Sequence, residues 1–155
     1  MNLSIRPANA ADIPHFEAIL NTIELFPAEM TEEMMSDYLH NADSEDIWFT
    51  ATADDTPVSL GYCTPEQLTE GTFNLLAIGV KADRQGKGVG AQMMHYLETE
   101  LHRKGHRILI VETSGTEDFA LTRRFYEQLG YDKEAVIRDF WKEGDDKVIY
   151  RKKLN

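Results

Sequence analysis

The stretch VKADRQGKGVG, residues 80–90, joins a segment of strongly apolar residues to a segment with helical periodicity. Its glycines and cations are Gly86, Gly88, Gly90, Lys81, Arg84 and Lys87. Glycines let backbone N–H groups come close to an anion, and the positive end of the following helix dipole adds attraction. The stretch therefore predicts a turn that binds a phosphate or diphosphate group.

The composition limits the classes of partner. The chain has 155 residues, 16 Lys and Arg against 27 Asp and Glu, and a formal net charge of -11. Nucleic acids and anionic membranes bind clusters of cationic residues, so we expect neither to be a partner of this acidic chain. A cationic partner is expected instead. The length and the absence of linkers or repeats predict a single domain over residues 1–155.

Cysteine and histidine patterns argue against disulfides and metals. Cys63 is the only cysteine, and the histidines show no spacing typical of a metal site. The amino-terminal residues lack the features of a signal peptide, and no segment is apolar over the length of a membrane span. We therefore expect a cytoplasmic protein with no metal and no membrane association.

The segments on either side of the glycine turn predict a mixed α/β fold. Residues 71–80 have the pattern of a strand that is covered on both faces. Residues 89–101 have the pattern of a helix, which Gly105 ends. Residues 107–113 have the pattern of another buried strand. This strand–helix–strand order predicts a pair of parallel strands in the middle of the chain. The other predicted elements are a strand at 2–6, helices beginning near Asp12 and Thr31, a hairpin of 47–53 with 57–64, a helix beginning near Ser114, and a hairpin of 131–141 with 146–154.

Two local signals refine the helices. Asp12 is a predicted N-cap of the first helix, and Ser114 with Glu117 has the spacing of a capping box for the last one. In that last helix, Leu121, Phe125 and Leu129 predict the core-facing stripe. Tyr126 lies off this stripe, which favours a functional role over packing.

A dinucleotide site is one interpretation of the glycine turn. GKGVGA, residues 86–91, satisfies the G-x-G-x-x-G/A pattern, and Glu112 at the end of the next strand stands where a ribose-binding acid belongs. This interpretation predicts a nicotinamide-dependent oxidoreductase. Against it, KADRQ separates Val80 from Gly86, and too few elements follow to complete a doubly wound sheet.

A second interpretation rests on two motifs. Gln85, Gly88 and Gly90 form Q-x-x-G-x-G, and FYEQLGY follows at 125–131. With these motifs and the order of its elements, the chain resembles the GNAT superfamily of acetyl-CoA-dependent N-acetyltransferases over nearly its whole length. The resemblance implies a mostly antiparallel sheet of six or seven strands with a central parallel pair splayed apart, flanked by about four helices.

The resemblance also implies a cofactor site and a reaction. Acetyl-CoA would be the co-substrate, and a primary amine of a small molecule or peptide would be the acceptor, with a homodimer as a common state in the superfamily. The implied diphosphate-binding residues are Gln85, Gly86, Lys87, Gly88, Val89 and Gly90. Ile78, Gly79 and Val80 correspond to the positions that meet the acetyl carbonyl and the pantetheine arm, with the Ile78 N–H stabilising the oxyanion and Gly79 marking a bulge. Tyr126 corresponds to the general acid.

The general base is not assigned by the resemblance. Asn74 stands where some members carry a carboxylate, and an amide cannot accept the proton. A water could relay the proton to Glu112, Glu70 or another acid, or the amine could arrive deprotonated. The family's frequent Asn before the tyrosine helix is replaced by Phe119. A non-catalytic acyl-CoA-binding regulatory module therefore stays open as an alternative.

Overall fold

The computed structural model describes residues 2–155, in which the chain forms eight strands and four α-helices. The strands are β1 (Leu3–Pro7), β2 (Ile47–Ala53), β3 (Thr56–Pro57), β4 (Ser59–Pro65), β5 (Thr72–Val80), β6 (Ile108–Ser114), β7 (Asp132–Lys142) and β8 (Asp145–Lys153). The helices are α1 (Ile13–Leu20), α2 (Thr31–His40), α3 (Val89–Arg103) and α4 (Ala120–Gln128).

The strands form one mixed sheet in the order β1-β2-β4-β5-β6-β8-β7, with β3 beside β2. The register of β5 with β6 is parallel from Thr72↔Ile108 to Leu75↔Val111, whereas β6 with β8 and β7 with β8 are antiparallel. The predicted mixed, mostly antiparallel fold with a central parallel pair is confirmed. The sheet has eight strands rather than six or seven, because two-residue β3 pairs separately with β2. This strand order is not that of a doubly wound sheet, so the dinucleotide interpretation is wrong about the fold.

The chain divides into two compact units, and the first comprises residues 2–64 and 76–99. Helical spacing on α1 and α2 places apolar side chains on one face, which packs on the sheet. The buried cluster there consists of Ala8, Phe16, Ile19, Leu20, Met35, Trp48 and Leu60. On β2, Phe49 lies over Gly61, where an added Cβ would be 2.4 Å from the ring.

The entry to α1 differs from the predicted cap. Asn9, not Asp12, is the capping residue: its side chain accepts from the Ala11 N–H, and it begins a short 3₁₀ turn, Ala10–Asp12. The Asp12 carboxylate accepts the Asn9 N–H and two hydrogen bonds from Arg6 at 2.8 and 2.9 Å. Burial raises the pKa of Asp12, but the bonds from Arg6 and Asn9 outweigh it and hold that pKa below its usual range.

The second unit comprises residues 65–75 and 100–155. Strand β6 lies between β5 and β8, which is why its segment is rich in apolar residues. The buried apolar residues of this unit are Phe73, Leu75, Leu101, Leu109, Val111, Tyr126, Tyr131, Val148, Tyr150 and Leu154. The prediction of a single domain over residues 1–155 stays a prediction.

The last helix departs from two predictions. Ser114 is the final residue of β6 rather than a cap, and Thr116 precedes the 3₁₀ turn Glu117–Phe119 without a side-chain cap bond. The predicted core stripe is also wrong, because Leu121 is 79% exposed whereas Tyr126 is 3% exposed. The face of α4 that contains Tyr126 is therefore the packed face.

Candidate functional site

The glycine turn begins where β5 ends. After Val80 the chain makes a 3₁₀ turn, Ala82–Arg84, and reaches Gln85. The Gln85 side-chain amide donates back to the Val80 carbonyl at 3.0 Å, which closes the turn on the last residue of the strand. Gln85 thus has a visible local role in the shape of the turn.

The backbone of the turn requires glycine at two positions. Gly86 has φ 75° and Gly88 has φ 82°, and a Cβ at either would meet nothing within 4 Å. No neighbouring atom would clash with a side chain at these positions. Glycine is favoured because it adopts the left-handed conformation at little cost, whereas other residues are strained there. The open space beside both glycines leaves room for a ligand close to the backbone.

The start of α3 supplies hydrogen-bond donors beside this space. The Gln92 N–H donates to the Gly88 carbonyl at 3.1 Å. The amides of Val89, Gly90 and Ala91 come before this bond and have no acceptor within the helix. Since the Val89 side chain is 1% exposed, it anchors the first turn of the helix in the core. The predicted residues 85–90 are thus brought together as a turn with donors at a helix N-terminus, which suits an anion.

Charge near the turn is of the sign that a diphosphate needs. Lys87 is exposed, and Lys81 and Arg84 are half-buried. The Arg84 Nε lies 4.0 Å from the Asp83 carboxylate, at the limit of an ion pair. In a chain with a net charge of -11, these cations form a local positive region.

The end of β5 is covered by the segment that follows α1. A Cβ on Gly79 would lie 2.6 Å from Cδ1 of Ile23 and 3.1 Å from Cδ2 of Leu25. The Ala82 N–H donates to Thr22 Oγ1 at 3.2 Å. Close packing of Ile23 therefore explains this glycine, and the bulge expected there stays a prediction. Helix α1 ends at Leu20, so Ile23 lies in the segment that follows the helix.

Ile78 and Val80 are half-buried at the end of the same strand. The Lys81 N–H, next in the chain, donates to the Val58 carbonyl at 2.8 Å. This bond fixes the chain where the strand passes into the turn. The predicted contacts of the Ile78 and Val80 backbone with an acyl group stay predictions.

Tyr126 is buried in an aromatic cluster of the second unit. Its ring centroid lies 5.2 Å from Phe125, 5.8 Å from Tyr131 and 5.9 Å from Tyr150. Burial raises the pKa of the Tyr126 phenol, which therefore stays protonated at neutral pH. Tyr150 is 0% exposed, and its hydroxyl donates to Glu127 at 2.8 Å. The packing of Tyr126 accounts for its position, so its predicted role as an acid stays a prediction.

Asn74 on β5 has an unusual environment. It is 3% exposed, and its Nδ2 donates to Oε1 of Glu66 at 2.8 Å. Its Oδ1 is buried and has no hydrogen-bond partner among residues 2–155. An unpaired buried acceptor costs about 1–3 kcal/mol, so a ligand that donates a hydrogen bond to Oδ1 would recover that energy. Sequence reasoning missed Glu66.

The other candidate bases are placed less favourably. The Glu112 carboxylate makes an ion pair with Lys147 Nζ at 2.8 Å, and Glu70 is exposed. Cys63 is buried, and burial raises the pKa of its thiol. In the part of the chain that the structure describes, no cluster of His, Cys, Asp and Glu could hold a metal ion, and no helix is long and apolar enough to cross a membrane.

Comparisons with known proteins bear on this geometry. The family model described as the acetyltransferase (GNAT) domain matches residues 44–133. A GNAT-family protein of Desulfovibrio desulfuricans, known from its crystal structure, is 31% identical, with a TM-score of 0.92 over 99% of this chain and 100% of that one. Both matches include the glycine turn.

Two further relatives are more distant. The Salmonella typhimurium protein YncA, solved with acetyl-CoA as its cofactor, is 17% identical, with a TM-score of 0.82 over 100% of this chain and 95% of that one. That likeness shows the fold alone. An uncharacterized N-acetyltransferase of Methanocaldococcus jannaschii is 26% identical over 86 residues, which are 54% of this chain and 53% of the relative. The match thus spans about half the length of that curated relative.

Proposed function

This chain belongs to the GNAT acetyltransferase family, and we propose that it is an N-acetyltransferase that moves the acetyl group of acetyl-CoA directly to a primary amine. The observation that carries the proposal is the turn at residues 85–90. It combines two left-handed glycines beside open space with the donors of a helix N-terminus. Acetyl-CoA supplies an activated thioester and a diphosphate by which the protein can hold it.

In this proposal, the chain orients the thioester in two ways. The amides of Gln85 to Gly90 bind the diphosphate, with Lys87 adding charge at the rim of the turn. The backbone at Ile78 and Val80 binds the pantetheine arm and the acetyl carbonyl. Removal of one oxyanion donor typically lowers the rate by roughly two to three powers of ten, so the Ile78 N–H would supply a large part of the catalysis.

Tyr126 completes the proposed reaction as the proton donor to the leaving thiolate. Burial raises the pKa of this phenol, so it carries its proton throughout the neutral range and has one to donate. The attack by the amine and the departure of the thiolate take place through a tetrahedral intermediate, without an acyl-enzyme. A cytoplasmic location and a homodimeric state stay predictions from the sequence.

The acceptor is proposed to be cationic before it reacts. The net charge of -11 favours a polyamine, an amino compound or a basic peptide end over an acidic substrate. Free-thiol release from acetyl-CoA, measured across a panel of primary amines, amino acids and short peptides, tests this. We expect turnover above the hydrolysis background with cationic amines. A panel in which acidic amines react as well as cationic ones would contradict the acceptor class.

A second candidate function is a non-catalytic acyl-CoA-binding regulatory module. The amide at Asn74, in place of a carboxylate, is the observation that favours it. It predicts that acetyl-CoA stabilises the protein against heat while no amine of the panel releases thiol. Thiol release with any panel amine would exclude it.

A further inference from the structure

Asn74 and Glu66 form a polar pair in the second unit that the preceding roles leave unused. The amide is 3% exposed, and one of its two polar atoms, Oδ1, is buried without a partner in the described chain. The other, Nδ2, donates to the half-buried carboxylate of Glu66 at 2.8 Å. Buried acceptors in native proteins are rarely left unpaired, and an exception calls for a partner such as a water, an ion or a ligand.

The orientation of the amide follows from its neighbour. An ionised carboxylate can only accept hydrogen bonds, so the amide must turn its NH₂ group toward Glu66. Its oxygen must then point the other way. The pair thus offers an incoming group two kinds of acceptor, the Asn74 oxygen and the Glu66 carboxylate, and one of them is negatively charged.

Glu66 is fixed by the loop that contains it. Its own N–H donates to the Thr72 carbonyl at 2.8 Å, and its carbonyl accepts from Thr69 Oγ1 at 2.9 Å. Its backbone groups are therefore both bonded, one to the first residue of β5 and the other to a residue of the β4–β5 connection. With its side chain held by Asn74, the carboxylate has a defined position rather than the freedom of a surface glutamate.

We propose that Asn74 and Glu66 bind the acceptor amine and that Glu66 removes its proton. This inference rests on the proposed acetyl transfer and names the missing base of that reaction. A primary ammonium has three N–H donors and a positive charge, so it can bond both the neutral amide oxygen and the carboxylate. A hydroxyl has one donor and no charge, and an anion would be repelled by Glu66.

The proton and electron balance is complete with groups already named. One N–H bond of the bound ammonium breaks, its proton passes to Glu66, and the electron pair stays on nitrogen. That pair forms the new bond to the thioester carbonyl carbon, and the carbon–sulfur bond breaks. The thiolate takes its proton from Tyr126. The nitrogen, which still carries two hydrogens and a positive charge after the attack, then loses a second proton, and this proton restores the Tyr126 phenol through solvent. Glu66 returns the first proton to solvent, so the products are the amide, the free thiol and one proton.

The test compares Glu66→Gln with Glu70→Gln. Glutamine at 66 keeps an oxygen that accepts from Asn74 but cannot take a proton, and Glu70 is an exposed acid in the same loop. The readouts are kcat against pH, with acetyl-CoA and the panel amine of highest turnover, and the Kd for acetyl-CoA. For Glu66→Gln we expect kcat at pH 7 to fall about 100-fold, within the usual range for a lost acid or base. The logarithm of its kcat should rise by about one for each pH unit, because only amine that is already neutral can react. The Kd for acetyl-CoA should not change.

A double variant guards against a purely structural effect. Glu66→Gln with Asn74→Asp exchanges the carboxylate and the amide while keeping the charge and the hydrogen bond. We expect the kcat of the double variant to be at least about tenfold higher than that of Glu66→Gln, because a base is restored beside the amine. The inference is overturned if Glu66→Gln keeps the wild-type kcat and pH profile, or if Glu70→Gln loses as much activity. Wild-type protein that binds acetyl-CoA but acetylates nothing would instead remove the proposed function.

Discussion

Placing an aspartate at Gly88 should abolish the stabilisation of the protein by acetyl-CoA, and Gly144 offers a matched control. Both glycines have φ 82°, and a Cβ at either meets nothing within 4 Å. Gly144 lies in the β7–β8 connection, whereas Gly88 precedes the first residue of α3. The two substitutions therefore cost similar backbone strain and differ in whether they touch the proposed diphosphate site.

The magnitude without ligand follows from the shared backbone conformation. A non-glycine residue in the left-handed region costs about 1–2 kcal/mol, and aspartate is at the lower end of that range. For a domain of this size, 1 kcal/mol corresponds to about 2–4 °C in Tm. We expect both Gly88→Asp and Gly144→Asp to melt a few degrees below the wild type, and by similar amounts.

Acetyl-CoA should separate the two variants. A ligand at a hundred times its Kd stabilises the folded protein by about 2.7 kcal/mol. That corresponds to a rise of about 5–11 °C in Tm. We expect this rise for the wild type and Gly144→Asp, and no rise for Gly88→Asp, because its carboxylate would lie where the diphosphate must bind.

Differential scanning fluorimetry across an acetyl-CoA titration measures all three proteins under one condition. Calorimetric titration gives the corresponding Kd values. Equal ligand-induced shifts for Gly88→Asp and Gly144→Asp would refute the reasoning, because the turn would then not bind the diphosphate.

Three other perturbations test the packing and the chemistry. Tyr126→Phe should keep the fold and the Kd for acetyl-CoA while kcat falls about 100-fold, and an unchanged kcat in the thiol assay would remove this phenol from the mechanism. Gly79→Ala should lower the free energy of unfolding in urea by about 1–3 kcal/mol, because its Cβ would lie 2.6 Å from Ile23 Cδ1. Adding Ile23→Val, which removes that atom, should recover part of the loss, and strictly additive effects would contradict this packing. Asp12→Asn should destabilise the protein by about 1–2 kcal/mol at pH 7. The pKa of Asp12 is held low in the folded state, so its contribution is fully present above the ordinary aspartate pKa and is lost as pH falls from there through the lowered pKa. Urea midpoints of wild type and variant should therefore converge toward pH 2, and a constant gap would contradict the role of the Arg6 pair.

The order of elements could be predicted because it depends on local periodicity. Residues 71–80 and 107–113 are apolar enough to be central strands, and both are strands in the sheet. Gly105, which was expected to end α3, has φ 85° and follows its last residue by two positions. Glycine positions and the spacing of hydrophobic residues were thus sufficient to predict most of the order of helices and strands.

The cap before α1 was mispredicted because two polar residues, Asn9 and Asp12, both suit that position. These two residues are three apart and form a capping box together, in which Asn9 is the cap and Asp12 is the third residue of the turn. On α4, Leu121 was expected to be buried, and it lies near the start of a short helix with its side chain 79% exposed. Which face of a short helix packs is decided by its tertiary neighbours, which periodicity does not reveal.

The candidate site was predictable only in part. The glycine turn is contiguous in sequence, so its residues could be named in advance. The pair of Asn74 and Glu66 depends on the connection between β4 and β5 bringing a loop acid beside a strand residue. The contact of Ile23 with Gly79 likewise joins two distant segments. Such pairs have no signal in a single sequence beyond the presence of the residue types.

The central claim is that backbone amides at residues 85–90 bind the diphosphate of acetyl-CoA, and a crystal structure of the complex tests it most directly. We predict diphosphate oxygens within hydrogen-bond distance of amide nitrogens in Gly86 to Gly90, at the N-terminus of α3. Acetyl-CoA bound with its diphosphate elsewhere, and with this turn contacting only solvent, would contradict the account.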